Sequence, residues 1–193
     1  MPDAGGSFAE LKACPLPCPR SEPPAARVAL RAARDADLDQ IAAIWNHEVL
    51  GTDATTDTEP RSSSAQREWL ARHTERYPVV VAVAPDHETV LAYGALSPYL
   101  AKPAFARTVE DSVYVERSRR GTGLGGLILD ELIRRARQLE HHSILARITA
   151  RNSASLRLHA RHGFEVVGTE RESAYKLGRW HDVTIMQRRL GSR

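Results

Sequence analysis

Apolar residues along this chain recur at two spacings, every second position and every third or fourth, and the alternation between the two outlines a fold. RVALRAA (27–33) predicts a first strand. Leu38, Ile41, Ala42, Ile44, Trp45 and Val49 then line one face of a helix, with Asp35 placed to cap it. GTDATTDTEP (51–60) has turn composition and stops at Pro60. SSSAQREWLARHTERY predicts a second helix with a serine cap and with Trp69 and Leu70 turned inward. VVVAVA (79–84), the turn PDHE and TVLAYGAL (89–96) read as a hairpin, followed by a loop from Ser97 to Ala106. TVEDSVYV (108–115) is a strand that runs into glycines. Leu124, Leu127, Ile128, Leu132, Ala136 and Leu139 mark one face of a long helix. SILARITA (143–150) is a strand, SASLRLHARHG (153–163) a short helix closed by Gly163, FEVVGTE a strand, and DVTIMQRRL (182–190) the last. The order β-α-α-β-β-β-α-β-α-β-β, without internal repeat, predicts one α/β domain over residues 27–193. Residues 1–26 hold six prolines and little apolar periodicity, and read as a disordered leader.

Composition narrows the classes. A hydrophobic fraction of 42% and a charged fraction of 26% are those of an ordinary globular protein. No apolar run approaches ~18 residues, so no membrane span is expected. Asp3 and Glu10 interrupt the N-terminal stretch, which argues against a secretory signal and for a cytoplasmic protein. The formal charge of +3 is mild and the arginines are scattered, so nucleic acid is not an expected partner. Cys14 and Cys18 make at most half of a zinc site, with no neighbouring histidine to complete it, and no metal is expected.

The candidate chemistry begins at VERSRRGTGLGG (115–126). Glycines at 121, 123, 125 and 126 open a helix directly after a strand, with Arg117, Arg119 and Arg120 just ahead. Glycine carries no side chain to hold a ligand away, so successive N–H groups at a helix start can converge on an anion, aided by the helix dipole. A nucleoside-triphosphate loop is excluded because no Gly-Lys-Ser/Thr follows. The spacing Gly121-x-Gly123-x-x-Gly126 matches a dinucleotide fingerprint, but the loop lies deep in the chain and no acidic residue ends the next strand. A bare glycine turn that lets a helix pack closely is the alternative.

Three separated motifs, in order, carry a resemblance. Arg120-x-x-Gly123-x-Gly125 resembles the acetyl-coenzyme A signature of the Gcn5-related N-acetyltransferases (GNAT). Asn152 and SASLRLHARHGF resemble the family's second hallmark. Within the family, TVE-x-S-VYV, N-x-A-S-x-x-LH and Gly178-Arg179-Trp180-His181-Asp182 are most similar to the phosphinothricin and methionine-sulfoximine acetyltransferases, over about residues 28–190. The resemblance implies a mixed, mostly antiparallel sheet flanked by helices, and acetyl-CoA as co-substrate. Its cradle would comprise Arg120, Gly121, Thr122, Gly123, Leu124, Gly125 and Gly126. Val113, Tyr114, Val115, Asn152 and Ser155 would lie along the rest of the cofactor, with Val113 and Val115 pairing with pantetheine like an added strand. Relatives commonly form homodimers, which sets the same expectation here.

The resemblance also assigns roles. Amine acetylation needs a neutral amine, a stabilised carbonyl oxygen and a proton for the leaving thiolate. Glu110 is the implied general base, directly or through a water; a strand carboxylate in a salt bridge is the alternative. His159 stands where much of the family has a tyrosine, and is implied to protonate the thiolate or orient the base; packing on the helix face is the alternative. Strand alternation turns Tyr114 to the face opposite Val113. Arg119 and Arg120 add charge near the phosphates, His162 is structural, and Arg134, Arg135 and Arg137 form a solvated helix face. Glu110, Asp111, Ser112, Tyr99 and Lys102 are the expected acceptor-binding residues, Lys102 for a substrate carboxylate. Two departures stand out: Thr56 replaces the aromatic that precedes x-T-E-P in the relatives, and the 97–106 loop has shifted its aromatic and basic positions. The expected activity is acetyl transfer to a small amino acid-like amine. A protein or peptide acetyltransferase and a non-catalytic acyl-CoA-binding module are the rivals.

Overall fold

The computed structural model describes residues 28–191; the Pro-rich leader with Cys14 and Cys18 lies outside the described residues. The elements follow the predicted order: β1 Ala29–Ala32, α1 Leu38–Gly51, α2 Ser63–Ala71, β2 Val79–Val83, β3 Val90–Pro98, β4 Thr108–Val115, α3 Leu124–Gln138, β5 Ser143–Thr149, α4 Ser153–Arg161, β6 Glu165–Lys176 and β7 Arg179–Arg189. They form one seven-stranded sheet in the order β1-β2-β3-β4-β5-β7-β6. Only β4 and β5 run parallel, joined by α3; every other neighbouring pair is antiparallel.

The sheet is covered on both faces, so central strands such as β2 are buried at every position. On one face Ile41, Ile44, Trp45 and Val49 of α1 pack on Val79, Val81, Val83, Val90 and Tyr93. On the other, Ile128, Leu129, Leu132, Ile133 and Ala136 of α3 pack on Val80, Ala82, Leu96, Val109 and Ile144. Gly94 of β3 sits directly under α3. A Cβ there would run into Ile128 Cγ2 and lie 2.9 Å from Leu132 Cδ1 and 2.9 Å from the Ser112 carbonyl oxygen. Gly94→Ala is therefore expected to cost roughly 1–3 kcal/mol through overpacking. A chain of this size would lose roughly 2–4 °C in Tm per kcal/mol, which thermal denaturation measures.

Several local expectations shift. Asp35 does not cap α1; it is exposed in a 3-10 turn, Asp35–Asp37, and the buried Asp37 does the local work. Its carboxylate accepts from the Arg34 N–H at 2.8 Å and forms a bidentate pair with the Arg31 guanidinium at 2.6 and 2.8 Å. Ser62 caps α2 as expected, accepting from the Ala65 N–H. Leu127 stands 46% exposed, while Leu129 and Ile133 take buried positions on α3. The last two strands are longer than their apolar pattern. They close as a hairpin over Leu177 and Gly178, both at positive φ, which is the primed turn that matches strand twist. Backbone pairing with β7 carries β6 through its polar stretch.

Candidate active site

The parallel pairing of β4 with β5 extends only from Thr108–Ser143 to Glu110–Leu145. Beyond it β4 pairs only with β3, and β5 only with β7, so the sheet opens between them. The Glu116 N–H bonds the Leu91 carbonyl on β3. By strand alternation the backbone groups of Asp111, Val113 and Val115 turn the other way, into the gap.

At one end of the gap stands the glycine loop. Gly121 and Gly123 have φ of +78° and +89°, which side-chain-bearing residues rarely adopt, and a Cβ on either would meet nothing within 4 Å. Gly123 is the N-cap of α3 and supplies no side-chain cap. The first helical bonds run from the Gly126 and Leu127 N–H groups to the Gly123 carbonyl, so the N–H groups of Leu124 and Gly125 precede any helical acceptor. Gly125 faces Leu158 of α4, Val115 and Val113 across the floor of a groove. Thr122 Oγ1 donates back to the Arg119 carbonyl at 2.6 Å. Arg120 lines the groove, but its guanidinium is ion-paired with the buried Glu48 of α1. Nothing in the apolar pattern of α1 marks that acid as buried. The α4 side of the groove begins at Asn152, whose Oδ1 caps the helix by accepting from the Ser155 N–H at 3.1 Å.

The side chains of β4 divide by parity. Val109, Val113 and Val115 join the α3 core, whereas Tyr114 stacks on Tyr93 with centroids 5.3 Å apart and meets Trp45 edge-on at 5.0 Å on the α1 face. Glu110 shares the Tyr114 face. Burial pushes its carboxyl up, more than the nearby Arg147 brings it down. Asp111 points to α4, where Oδ2 meets His159 Nε2 at 3.0 Å. His159 Nδ1 meets the Ser155 carbonyl at 2.8 Å, so both ring nitrogens face acceptors and an imidazolium satisfies both. Burial opposes that charge, but the hydrogen bond to Asp111, the Asp111 charge and the Ser155 carbonyl together hold the His159 pKa above its ordinary 6.5. The sign for stability follows: the pair contributes fully below pH 6.5, and its contribution is lost as pH rises through the raised value. Asp111→Asn is therefore expected to cost roughly 1–3 kcal/mol at pH 6 and less at pH 9. Urea denaturation across that range measures the difference, and NMR titration should show the His159 pKa falling.

A cavity of about 530 Å³ opens on the α1 face of the gap, within the range of small-molecule sites. Glu110, Ser112, Trp45, Arg61, Trp69, Tyr93 and Ser97 are in its wall, with Thr55, Thr56 and Asp57 from the 52–60 loop. It shares Ala54, Val113, Tyr114 and Ser155 with the groove along the glycine loop, so the two are continuous. The loop is tied down by the buried Lys176, whose Nζ donates to the Glu48 and Thr55 carbonyls, and by Thr149 Oγ1, which donates to the Asp53 carbonyl. Tyr99 and Lys102 do not line this cavity. Tyr99 packs on Phe105 and Lys102 is exposed, because the 97–106 loop turns away after Ser97. Asp111 is in the wall, but its Oδ2 is engaged by His159, and among the described residues its Oδ1 is buried without a partner. Arg61, Trp45 and Trp69 carry no sequence signal beyond turn and helix composition.

A strand pair splayed over a glycine-capped helix, with a half-buried carboxylate beside the opening, is the architecture of an acetyltransferase. The chain matches the family model for the acetyltransferase (GNAT) domain over residues 30–185. It belongs to the GNAT family. It is 41% identical over 170 residues to the phosphinothricin N-acetyltransferase of Streptomyces coelicolor, covering 87% of this chain and 99% of that one. It is 40% identical over 162 residues to the L-methionine sulfoximine/L-methionine sulfone acetyltransferase of Pseudomonas paraeruginosa, covering 83% and 94%. Among solved structures, yncA from Salmonella typhimurium, determined with its cofactor acetyl-CoA, superposes with a TM-score of 0.82 at 35% identity, covering 86% of this chain and 96% of that one.

Proposed function

We propose that this protein transfers an acetyl group from acetyl-CoA to the amine of a small amino acid-like substrate, of the type named in its phosphinothricin and methionine-sulfoximine relatives. The observation that carries the reading is the continuity of the cleft: uncapped N–H groups at one end, Glu110 at the other, and free strand backbone between. Acetyl-CoA, when bound, supplies an activated acetyl thioester. The N–H groups of the glycine loop that precede the first helical bond, Leu124 and Gly125 among them, are the donors for its pyrophosphate, and the side-chain-free positions 121 and 123 leave room for close approach. Backbone groups of Val113 and Val115 are available for strand-like pairing, and the Val113 N–H is the donor at hand for a carbonyl oxygen. Asn152 and Ser155 flank this path.

Glu110 takes the proton from the ammonium, and its burial makes it a stronger base than an exposed carboxylate. His159, with both nitrogens engaged, acts as a positioning residue that locks Ser155 and the start of α4 beside the gap. Thiol release with acetyl-CoA across free amino acids, methionine sulfone, methionine sulfoximine, phosphinothricin and peptide N-termini tests the reading. Release with free amino acids and not with peptides is expected. Release with peptides alone would make it a peptide acetyltransferase, and binding of acetyl-CoA without release on any amine a non-catalytic module.

A further inference from the structure

Arg61 sits where the 52–60 loop enters α2, and the fold holds it there from both sides. Asn46 of α1 accepts from the Arg61 N–H at 2.8 Å and donates to the Arg61 carbonyl at 3.0 Å. Its guanidinium carbon lies 4.0 Å from the centroid of the Trp45 ring and 5.0 Å from that of Trp69. Among the described residues the guanidinium makes no ion pair and no hydrogen bond, and its Nη1 is buried without a partner. The other cationic groups of the cavity wall are each paired with an acid. Arg147 is paired with Glu170 at 2.6 Å and His159 with Asp111 at 3.0 Å. Asp57 forms no ion pair with Arg61, and one of its carboxylate oxygens accepts from Thr55 Oγ1 at 3.3 Å.

A half-buried cation with no acid bonded to it is costly, and aromatic faces compensate only part of that cost. Stacking on ring faces leaves the N–H edge of the guanidinium unoccupied. That edge is the fork that binds a carboxylate through two parallel hydrogen bonds. We infer that Arg61 is the specificity-determining anchor for an anionic group on the acceptor, a carboxylate in a free amino acid, while Glu110 in the same wall takes the amine. This rests on the acetyl-transfer reading for the cavity's role. It assigns the task expected of Lys102 to a residue in the wall itself, and it selects against peptides and simple amines, which bring no carboxylate beside the reacting nitrogen.

The probes are L-methionine sulfone and its carboxamide, which differ only in the anionic group. Wild type should favour the acid in kcat/KM. Arg61→Gln should lose ~10–10²-fold on the acid, the range of a hydrogen bond to a charged group, and stay within about threefold on the amide. Arg61→Lys keeps the charge without the fork, so it should fall between the two and remain available if the glutamine variant does not fold. Equal losses on both probes would show that Arg61 only plugs the aromatic box, and would overturn the inference. Binding read by tryptophan fluorescence separates this from a failure of the acetyl-transfer reading, since two of the three tryptophans flank Arg61. The acid, not the amide, should perturb Trp45 and Trp69 in wild type and not in Arg61→Gln, even if no thiol is released. Equal perturbation by the acid in both proteins would also overturn it.

Discussion

Glu110→Gln is expected to lower kcat by ~10²-fold or more while leaving the affinity for acetyl-CoA close to wild type. The acceptor amine arrives mostly protonated near neutral pH, and glutamine keeps the shape of the side chain without the capacity to take a proton. Glu110 lies on the acceptor side of β4, apart from the groove along the glycine loop, so the cofactor should not sense the change. The defect should shrink at high pH, where more amine is already neutral. Stability should not explain the loss. The native carboxyl is raised by burial, so the folded protein gives up stability as pH rises above the ordinary value of 4.5, and glutamine carries no such penalty. The variant should melt at or above the wild-type temperature at pH 8. Wild-type turnover of Glu110→Gln across pH would remove Glu110 from the role of base.

The second large effect is expected at the other end of the cleft. Gly123→Val should raise the acetyl-CoA dissociation constant ~10–10²-fold, roughly the value of one or two hydrogen bonds to a charged phosphate. At φ +89° valine is strained, and it relieves the strain only by rotating the peptide groups that begin α3. No neighbouring atom lies within 4 Å of the new Cβ, so the strain stays in the loop and the core is untouched. Circular dichroism should be unchanged, and calorimetry with acetyl-CoA reads the loss. Wild-type affinity in the folded variant would move the pyrophosphate elsewhere.

Much of this architecture is legible locally. Element order follows from apolar spacing, because the helices bury one face at their own period and the strands covered on both faces appear as short continuous apolar runs. The strand TVEDSVYV matches its observed bounds, since alternation there is regular and glycines end it. The polar second half of β6 is illegible for the opposite reason: it is an exposed hairpin arm, so neither face imposes a pattern. Leu127 reads as inward-facing yet stands exposed, because the apolar stripe of α3 has a width and residues at its edge are decided by what packs nearby.

The sequence by itself determined the fold, the glycine loop and the parity of β4, which turns Val113 away from Tyr114. These depend on backbone conformation and residue alternation, both properties of short stretches. Only the tertiary structure decided which charges meet. Glu48 pairs with Arg120 across 72 positions, and Lys176 bonds the Glu48 and Thr55 carbonyls from 128 and 121 positions away. His159 and Asp111 meet across 48, and Arg61 is framed by tryptophans from two different helices. An isolated buried charge is costly enough that its partner, or its lack of one, governs its chemistry. That partner is set by how the sheet and helices stack, which no local pattern records.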